Sequence, residues 1–215
     1  MRLFCLALAA IAVFPATPAV AQSFPGTRVE LNAGWDHFAG DLSYRDTDFP
    51  ENDFAIGANT DGMIYGIGAG YDVPVGSGLY VGVEGNYDLF DNEQCETLDT
   101  DTGCIDQKHS WAVGGRVGSR LSPRGLIYAG AAYTKGKAGI RYIDETDATN
   151  NFAVSYKRGG VRLSAGAEYR LAANIYAKAE YRYIDYADWS ETIGTETVTL
   201  GFDRNQIVAG LGVRF

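Results

Sequence analysis

The groups through which this chain could do chemistry are two histidines, three cysteines and a set of acids and bases spread along its length. His109 is followed by Ser110, but neighbours on an extended chain point to opposite faces, so the two make a poor nucleophile–base pair. Both histidines, His37 and His109, read as residues of an outer rim. Gly66-Ile-Gly-Ala-Gly70 has the glycines of a phosphate loop without the helix that such a loop opens. No catalytic group, metal or cofactor is expected on these grounds.

The charged residues say more, because they fall at every second position among apolar ones. The acids of this pattern are Glu30, Asp36, Asp72, Glu84, Asp88, Glu168 and Glu180; the bases are Arg116, Arg120, Arg162, Arg170, Lys178, Arg182 and Arg214. On strands this spacing places them on one face. Their signs nearly balance, and balanced charges in a confined space should pair, since a lone buried charge is far more costly than a paired one. The chemistry implied is ion pairing rather than turnover.

The elements that must hold these residues are strands. In the stretch 206–215, Ile207, Ala209, Leu211, Val213 and Phe215 share one face, with Gln206, Val208, Gly210, Gly212 and Arg214 on the other. Seven further segments repeat this period, at roughly 28–38, 62–73, 79–90, 108–121, 126–143, 152–171 and 175–183. Short turns at 74–78, 122–125 and 172–174 alternate with polar loops at 39–60, 91–107, 144–151 and 188–199. Pro74 and Pro123 fall in turns, Pro50 in a loop and Pro25 before the first strand, so none interrupts a ladder.

The apolar face of each strand carries no charge across its central part, and aromatics gather near the strand ends: Trp35, Tyr71, Tyr87, Trp111, Tyr133, Tyr169, Tyr183 and Phe215. Such girdles, with short turns at one end and long loops at the other, describe a sheet that faces lipid. A sheet in lipid must close on itself, because an open edge would leave unpaired amides in hydrocarbon. The alternative is a soluble barrel with its apolar face inward around a ligand, which has the same parity. The opposite face here is dominated by glycine with long charged residues between, which suits a narrow lumen better than a wet surface. The expected fold is all-β: an eight-stranded antiparallel up-and-down transmembrane β-barrel. A barrel of this size is just wide enough for side chains to fill it, which favours a closed polar core over a small gated ion path. The inward glycines (Gly66, Gly68, Gly70, Gly114, Gly118, Gly210 and Gly212) make room for the arginines.

Length and composition agree with one exported domain. The chain has 215 residues, and its one long apolar run lies at the start. Arg2, the apolar run 3–14 and the small-x-small sequence Ala19-Val20-Ala21 predict a signal peptide over 1–21, cleaved after Ala21, leaving a barrel domain over 22–215. Cys5 leaves with it, and the remaining pair, Cys95 and Cys104, is expected to form a disulfide in an oxidising compartment. The net charge of −9 becomes −10 once Arg2 is removed, which excludes a nucleic-acid partner that needs a basic face.

Three stretches resemble a known family. Gly160-Val-Arg-Leu-Ser-Ala-Gly-Ala-Glu-Tyr-Arg-Leu171, Ala177-Lys-Ala-Glu-Tyr-Arg-Tyr-Ile-Asp-Tyr186 and Val208-Ala-Gly-Leu-Gly-Val-Arg-Phe215 are similar to the closing strands of the OmpA-like and opacity-type outer-membrane barrels of Gram-negative bacteria, the eight-stranded "porin family" surface antigens. The resemblance implies an outer-membrane location, contact with membrane lipid and lipopolysaccharide, and a monomer. It also implies that Phe215 belongs to the signal read by the barrel assembly machinery. Since the chain stops at Phe215, no peptidoglycan-binding domain and no cell-wall tethering are expected. The family's roles would be envelope integrity, adhesion or antigen display; a narrow diffusion channel and, further off, a lipid A-modifying enzyme are the alternatives. The acidic loops offer a surface to host or other ligands. Asp99-Thr-Asp101 lacks the full ligand pattern of a calcium loop, so a solvated negative rim is the expectation.

Overall fold

Alternation at every second residue becomes, in the computed structural model, a closed ring of strands. Residues 24–98, 101–144 and 151–215 are described. The export segment with Cys5 and Ala21, Asp99 of the acidic run and most of the loop at 144–151 lie outside them.

Among the described residues there are eight strands: β1 (Gly26–Asp46), β2 (Phe54–Pro74), β3 (Leu79–Leu98), β4 (Asp101–Arg120), β5 (Gly125–Asp144), β6 (Phe152–Arg170), β7 (Ile175–Ile193) and β8 (Glu196–Arg214). Each pairs antiparallel with its neighbours in chain order, and β1 closes the ring on β8 from Arg28↔Arg214 to Asp46↔Glu196. The three short turns share one device: the amides of Val75, Leu121 and Leu171 donate to the carbonyls of Leu79, Gly125 and Ile175 at 3.0, 2.9 and 2.9 Å. At the other end Gly194, with φ of 65°, makes the tight β7–β8 turn. These two ends are called the turn end and the hairpin end below.

Parity decides which face is inside. Where the ring is closed, even-numbered residues of all eight strands point inward and odd-numbered ones outward. Leu31, Val83, Val113, Ile207 and Leu211 are 58–67% exposed, so the apolar face is the outer one. That removes the ligand-binding soluble barrel, whose apolar face points in. Aromatics border this apolar belt: Trp35, Tyr65, Tyr87, Trp111, Tyr133 and Tyr183 on the hairpin side, Tyr71, Tyr169 and Phe215 on the turn side, all exposed. Phe24 closes the turn end from within, packed on Tyr80 at 6.0 Å between ring centres and against Leu126.

The strands are longer than their sequence pattern. The expected loops at 39–60, 91–107 and 188–199 are mostly continuations of the hairpins β1–β2, β3–β4 and β7–β8. Strands of 19–21 residues are about twice the ~9–11 a bilayer requires. In these extensions the ring comes apart. Pairing of β2 with β3 ends at Ile64↔Phe90, and that of β6 with β7 ends at Gly160↔Tyr186. Beyond those two seams the strands continue as two four-stranded sheets, β7-β8-β1-β2 and β3-β4-β5-β6. The first is largely acidic; the second carries most of the lysines.

The disulfide expected from the cysteine count is present, with Cα atoms 4.0 Å apart. It does not close a loop, as its position in the sequence suggested, but joins directly opposed residues of the β3–β4 hairpin. Its ring is small, with a sequence separation of 9, so the chain-entropy stabilisation is about 2–3 kcal/mol and is confined to that hairpin. Reduction is therefore expected to speed proteolysis within 91–107 while leaving the unfolding midpoint of the barrel unchanged. Limited proteolysis beside a denaturation curve, with and without reductant, checks both halves.

Candidate functional site: the interior charge network

The even positions that point inward are filled with charge. Among the described residues, seven carboxylates (Glu30, Asp36, Asp72, Glu84, Asp88, Glu168, Glu180) and seven cations (Arg28, Arg116, Arg162, Lys178, Arg182, Arg204, Arg214) are buried inside the barrel. They pair in tiers from the turn end upward.

The first tier is built on Asp72 and Glu168. Asp72 accepts from Arg28 Nε at 3.2 Å, from Arg116 Nε and Nη2 at 2.9 and 2.6 Å, and from Arg214 Nη1 at 2.9 Å. Glu168 accepts from Arg116 Nη1 at 2.5 Å and Arg214 Nη2 at 2.6 Å. Arg28 and Arg214 are direct cross-strand partners, an arrangement of like charges that is unfavourable alone. Asp72, reaching across from β2, bonds both and makes it tenable.

The middle tier has Glu30, Glu84 and Glu180. Glu30 accepts from Lys178 Nζ at 2.5 Å and from the Tyr176 hydroxyl at 2.9 Å. Glu84 accepts from Arg28 Nη2 at 2.8 Å and Arg162 Nη2 at 3.1 Å. Glu180 accepts from the Tyr128 hydroxyl at 2.6 Å and from Arg182 Nε. Arg182, wholly buried, also reaches Asp88 at 3.2 Å. In the last tier Arg204 grips Asp36 with two bonds, Gln206 adds a third at 2.8 Å, and the Phe90 ring lies 3.8 Å from the Arg204 guanidinium carbon.

Glycines admit these groups. A Cβ on Gly82 would stand 2.1 Å from Asp72 Oδ1, and one on Gly70 would stand 2.6 Å from Arg28 Nη2. Of the glycines expected to make room for arginines, Gly70 alone does: Gly66 faces Asp88, Gly68 faces Asn86 and Glu30, Gly210 faces Asn32, Gly212 faces Tyr176, and Gly114 and Gly118 face the backbone of β5 and Leu126.

Of the residues singled out from the sequence, Glu30, Asp72, Glu84, Arg116, Arg162, Glu168, Lys178, Glu180, Arg182 and Arg214 are brought together inside. Arg120 is not: it is exposed beside the β2–β3 turn, its amide bonded to Gly78, because the strand has left the interior by that position. Arg170 is half-buried at the mouth, 4.7 Å over the Phe24 ring. Arg28 and Arg204 belong to the network and were missed, although both have the even parity of the rest. His37 is on the outer face at the rim, 2.8 Å from Asp61 Oδ1, and His109 stacks on Tyr87 at 5.7 Å.

Comparison with known proteins agrees with this architecture. Residues 6–215 match the model of the outer membrane protein β-barrel domain. The chain is 29% identical over 119 residues to a 22 kDa outer membrane protein of Rhizobium leguminosarum bv. viciae, covering 54% of this chain and 53% of that one, so it spans about half of that relative. It is 26% identical over 181 residues to a 31 kDa outer-membrane immunogenic protein of Brucella melitensis biotype 1, covering 79% and 74%. Among solved structures it is similar to Neisserial surface protein A, with a TM-score of 0.51 and 16% identity over 88% of this chain and 97% of that one. The Escherichia coli outer membrane protease OmpT gives 0.51 and 10% over 93% and 100%; at such identity the likeness is one of fold alone. The match over nearly the whole chain, on a closed barrel with an apolar outer belt, shows that this protein belongs to the outer membrane β-barrel domain family.

Proposed function

We propose that the protein is a monomeric surface-interaction barrel of the outer membrane, exported by a signal peptide cleaved after Ala21, with the hairpin end facing out of the cell and the lumen closed by its ion pairs. The observation that carries this reading is the parting of the barrel into two sheets. Among the described residues it leaves four strand edges open on their seam sides, at 54–63, 91–98, 152–159 and 187–193. Open edges invite pairing with another chain, and strand addition is a recurring mode of peptide capture. Phe215, exposed at the turn end with its amide bonded to the Thr27 carbonyl at 2.9 Å, is accessible to an assembly receptor. Binding of cells displaying the barrel to a panel of extracellular-matrix proteins, against cells displaying a form trimmed of 40–57 and 188–199, tests the role. Binding lost on trimming is expected; cells indistinguishable from barrel-free ones would sink it.

A narrow channel is the second reading, and one observation favours it. Asp88 Oδ1, Arg162 Nε and Arg182 Nη2 lie buried in the interior without a hydrogen-bond partner among the described residues. Buried polar atoms of this kind are satisfied by water. Planar-bilayer recording of the refolded mature chain is expected to show no sustained openings. Stable openings altered by Arg182→Ala would replace the closed lumen with a conducting one. Turnover has less support: Ser110 is buried on the inward face while its neighbour His109 stacks on Tyr87 outside, and lipid A mass spectra are expected to be the same with and without the protein.

A further inference from the structure

The outward-facing residues just past the apolar belt on the hairpin side are not of one sign. On β2, β7 and β8 they are Asp61, Asp185 and Asp203; on β4, β5 and β6 they are His109, Lys135, Lys137 and Lys157. Register gathers the bases. Lys137 lies directly opposite Lys157 on one side and His109 on the other, and Lys135 lies opposite Gly159, two positions along β6 from Lys157. Like charges directly opposed on a sheet destabilise it. Elsewhere in this barrel such a pair is bridged by a carboxylate; here, among the described residues, no carboxylate pairs with Lys135, Lys137 or Lys157.

The surface between these lysines is shaped. Gly159 leaves a dent in β6, and the Tyr133 phenol leans into it: a Cβ on Gly159 would be 2.4 Å from the Tyr133 hydroxyl oxygen. That hydroxyl therefore sits level with Lys135 and beside Lys157. Beside it on β4, directly opposite Lys135, Trp111 packs on Tyr133 at 5.7 Å. The patch thus has cations, a hydroxyl donor and aromatic rings together where the belt ends.

We infer that this face of β4–β6 binds a phosphorylated lipid of the outer leaflet, with Lys135, Lys137 and Lys157 and the Tyr133 hydroxyl on the phosphate groups of lipid A and Trp111 against the start of its acyl region. The inference rests on the reading that the hairpin end faces outward, where that lipid is found. An anion held by three lysines removes the repulsion that the register imposes, and the adjoining Trp111 and Tyr133 rings select an anion attached to hydrocarbon over a free one.

The test is native mass spectrometry of the refolded mature barrel with bis-phosphorylated or monophosphorylated lipid A, for the wild type, the triple variant Lys135→Gln/Lys137→Gln/Lys157→Gln and the charge-keeping triple Lys→Arg variant. Heat-modified gel mobility shows which samples are folded. The wild type and the Arg variant are expected to prefer the bis-phosphorylated form, and the Gln variant to bind it about 30- to 100-fold more weakly. Asp203→Asn, on the acidic arc, is expected to change nothing. Equal binding by wild type and Gln variant, or no preference of the wild type for the second phosphate, would overturn the assignment. So would full displacement of lipid A by inorganic phosphate, which would mark a site for free phosphate. Lipid A binding by a barrel whose displaying cells capture no matrix protein would remove the surface-interaction reading and leave this site standing.

Discussion

Replacing Asp72 by alanine is expected to destabilise the barrel by about 3–5 kcal/mol, the range for removing one partner from a buried ion pair. The effect is large because three guanidinium groups depend on this one carboxylate. Arg28, Arg116 and Arg214 together place four hydrogen bonds on it, and two of the three are directly opposed on the paired strands β1 and β8. Glu168 continues to serve Arg116 and Arg214, but among the described carboxylates Arg28 then has only Glu84 and, at 3.5 Å, Glu30. Asp72→Asn keeps the shape and loses the charge, so it should fall between alanine and the wild type. Asp61→Ala is the control, since an exposed pair with His37 contributes about 0–1 kcal/mol. Urea midpoints of the refolded proteins in lipid vesicles, read by the gel shift between folded and unfolded forms, give the comparison. Equal midpoints for Asp72→Ala and Asp61→Ala would show that the interior pairs do not sustain the fold.

Leu31→Arg is expected to cost about 2–4 kcal/mol, the measured scale for a cation at the middle of a barrel's lipid face. Leu31 is 67% exposed, and its register partners Ile67 and Leu211 are similarly bare, so no described residue covers it. In a water-surrounded barrel the same change would be harmless or helpful. Ile193→Arg provides the contrast. Ile193 is 73% exposed at the tip of the β7–β8 hairpin, beyond the apolar belt, and the same vesicle assay should detect almost no loss there.

How much of this was legible beforehand depends on where lipid stops. Within the belt each strand must hide one face from water and fill a narrow interior with the other, so period two is enforced and the parity of Glu30, Asp72, Arg116 and Arg182 could be read from the sequence. Beyond the belt both faces are wet. No alternation is required of 39–46, 54–60, 189–193 or 196–199, and Asp, Asn, Thr and Gly there resemble loop sequence although the backbone remains paired. Arg28 was lost because it sits at a strand start, where alternation has barely begun, and Arg204 because it lies where polar loop was expected to give way to strand. Arg204 was missed by judging parity only inside the stretch already recognised as strand, and Arg28 by not following the parity of 28–38 back to its first residue. Arg120 is the opposite case: its parity is right, but it falls one residue before a turn, where inward no longer means inside.

The two seams have a consequence for depth. An amide left unpaired in hydrocarbon costs several kcal/mol, so the bilayer core cannot extend much past the last paired residues, Ile64↔Phe90 and Gly160↔Tyr186. From those pairs to the turn end there are eleven residue pairs along each seam, Ile64–Pro74 on one and Gly160–Arg170 on the other. That is the span of a tilted strand across a membrane, ~9–11 residues. The backbone thus carries its own plumb line, independent of the aromatic rings. It also links membrane thickness to the mouth of the protein: a thicker bilayer favours zipping the seams one pair further and drawing the two sheets together, and a thinner one releases them.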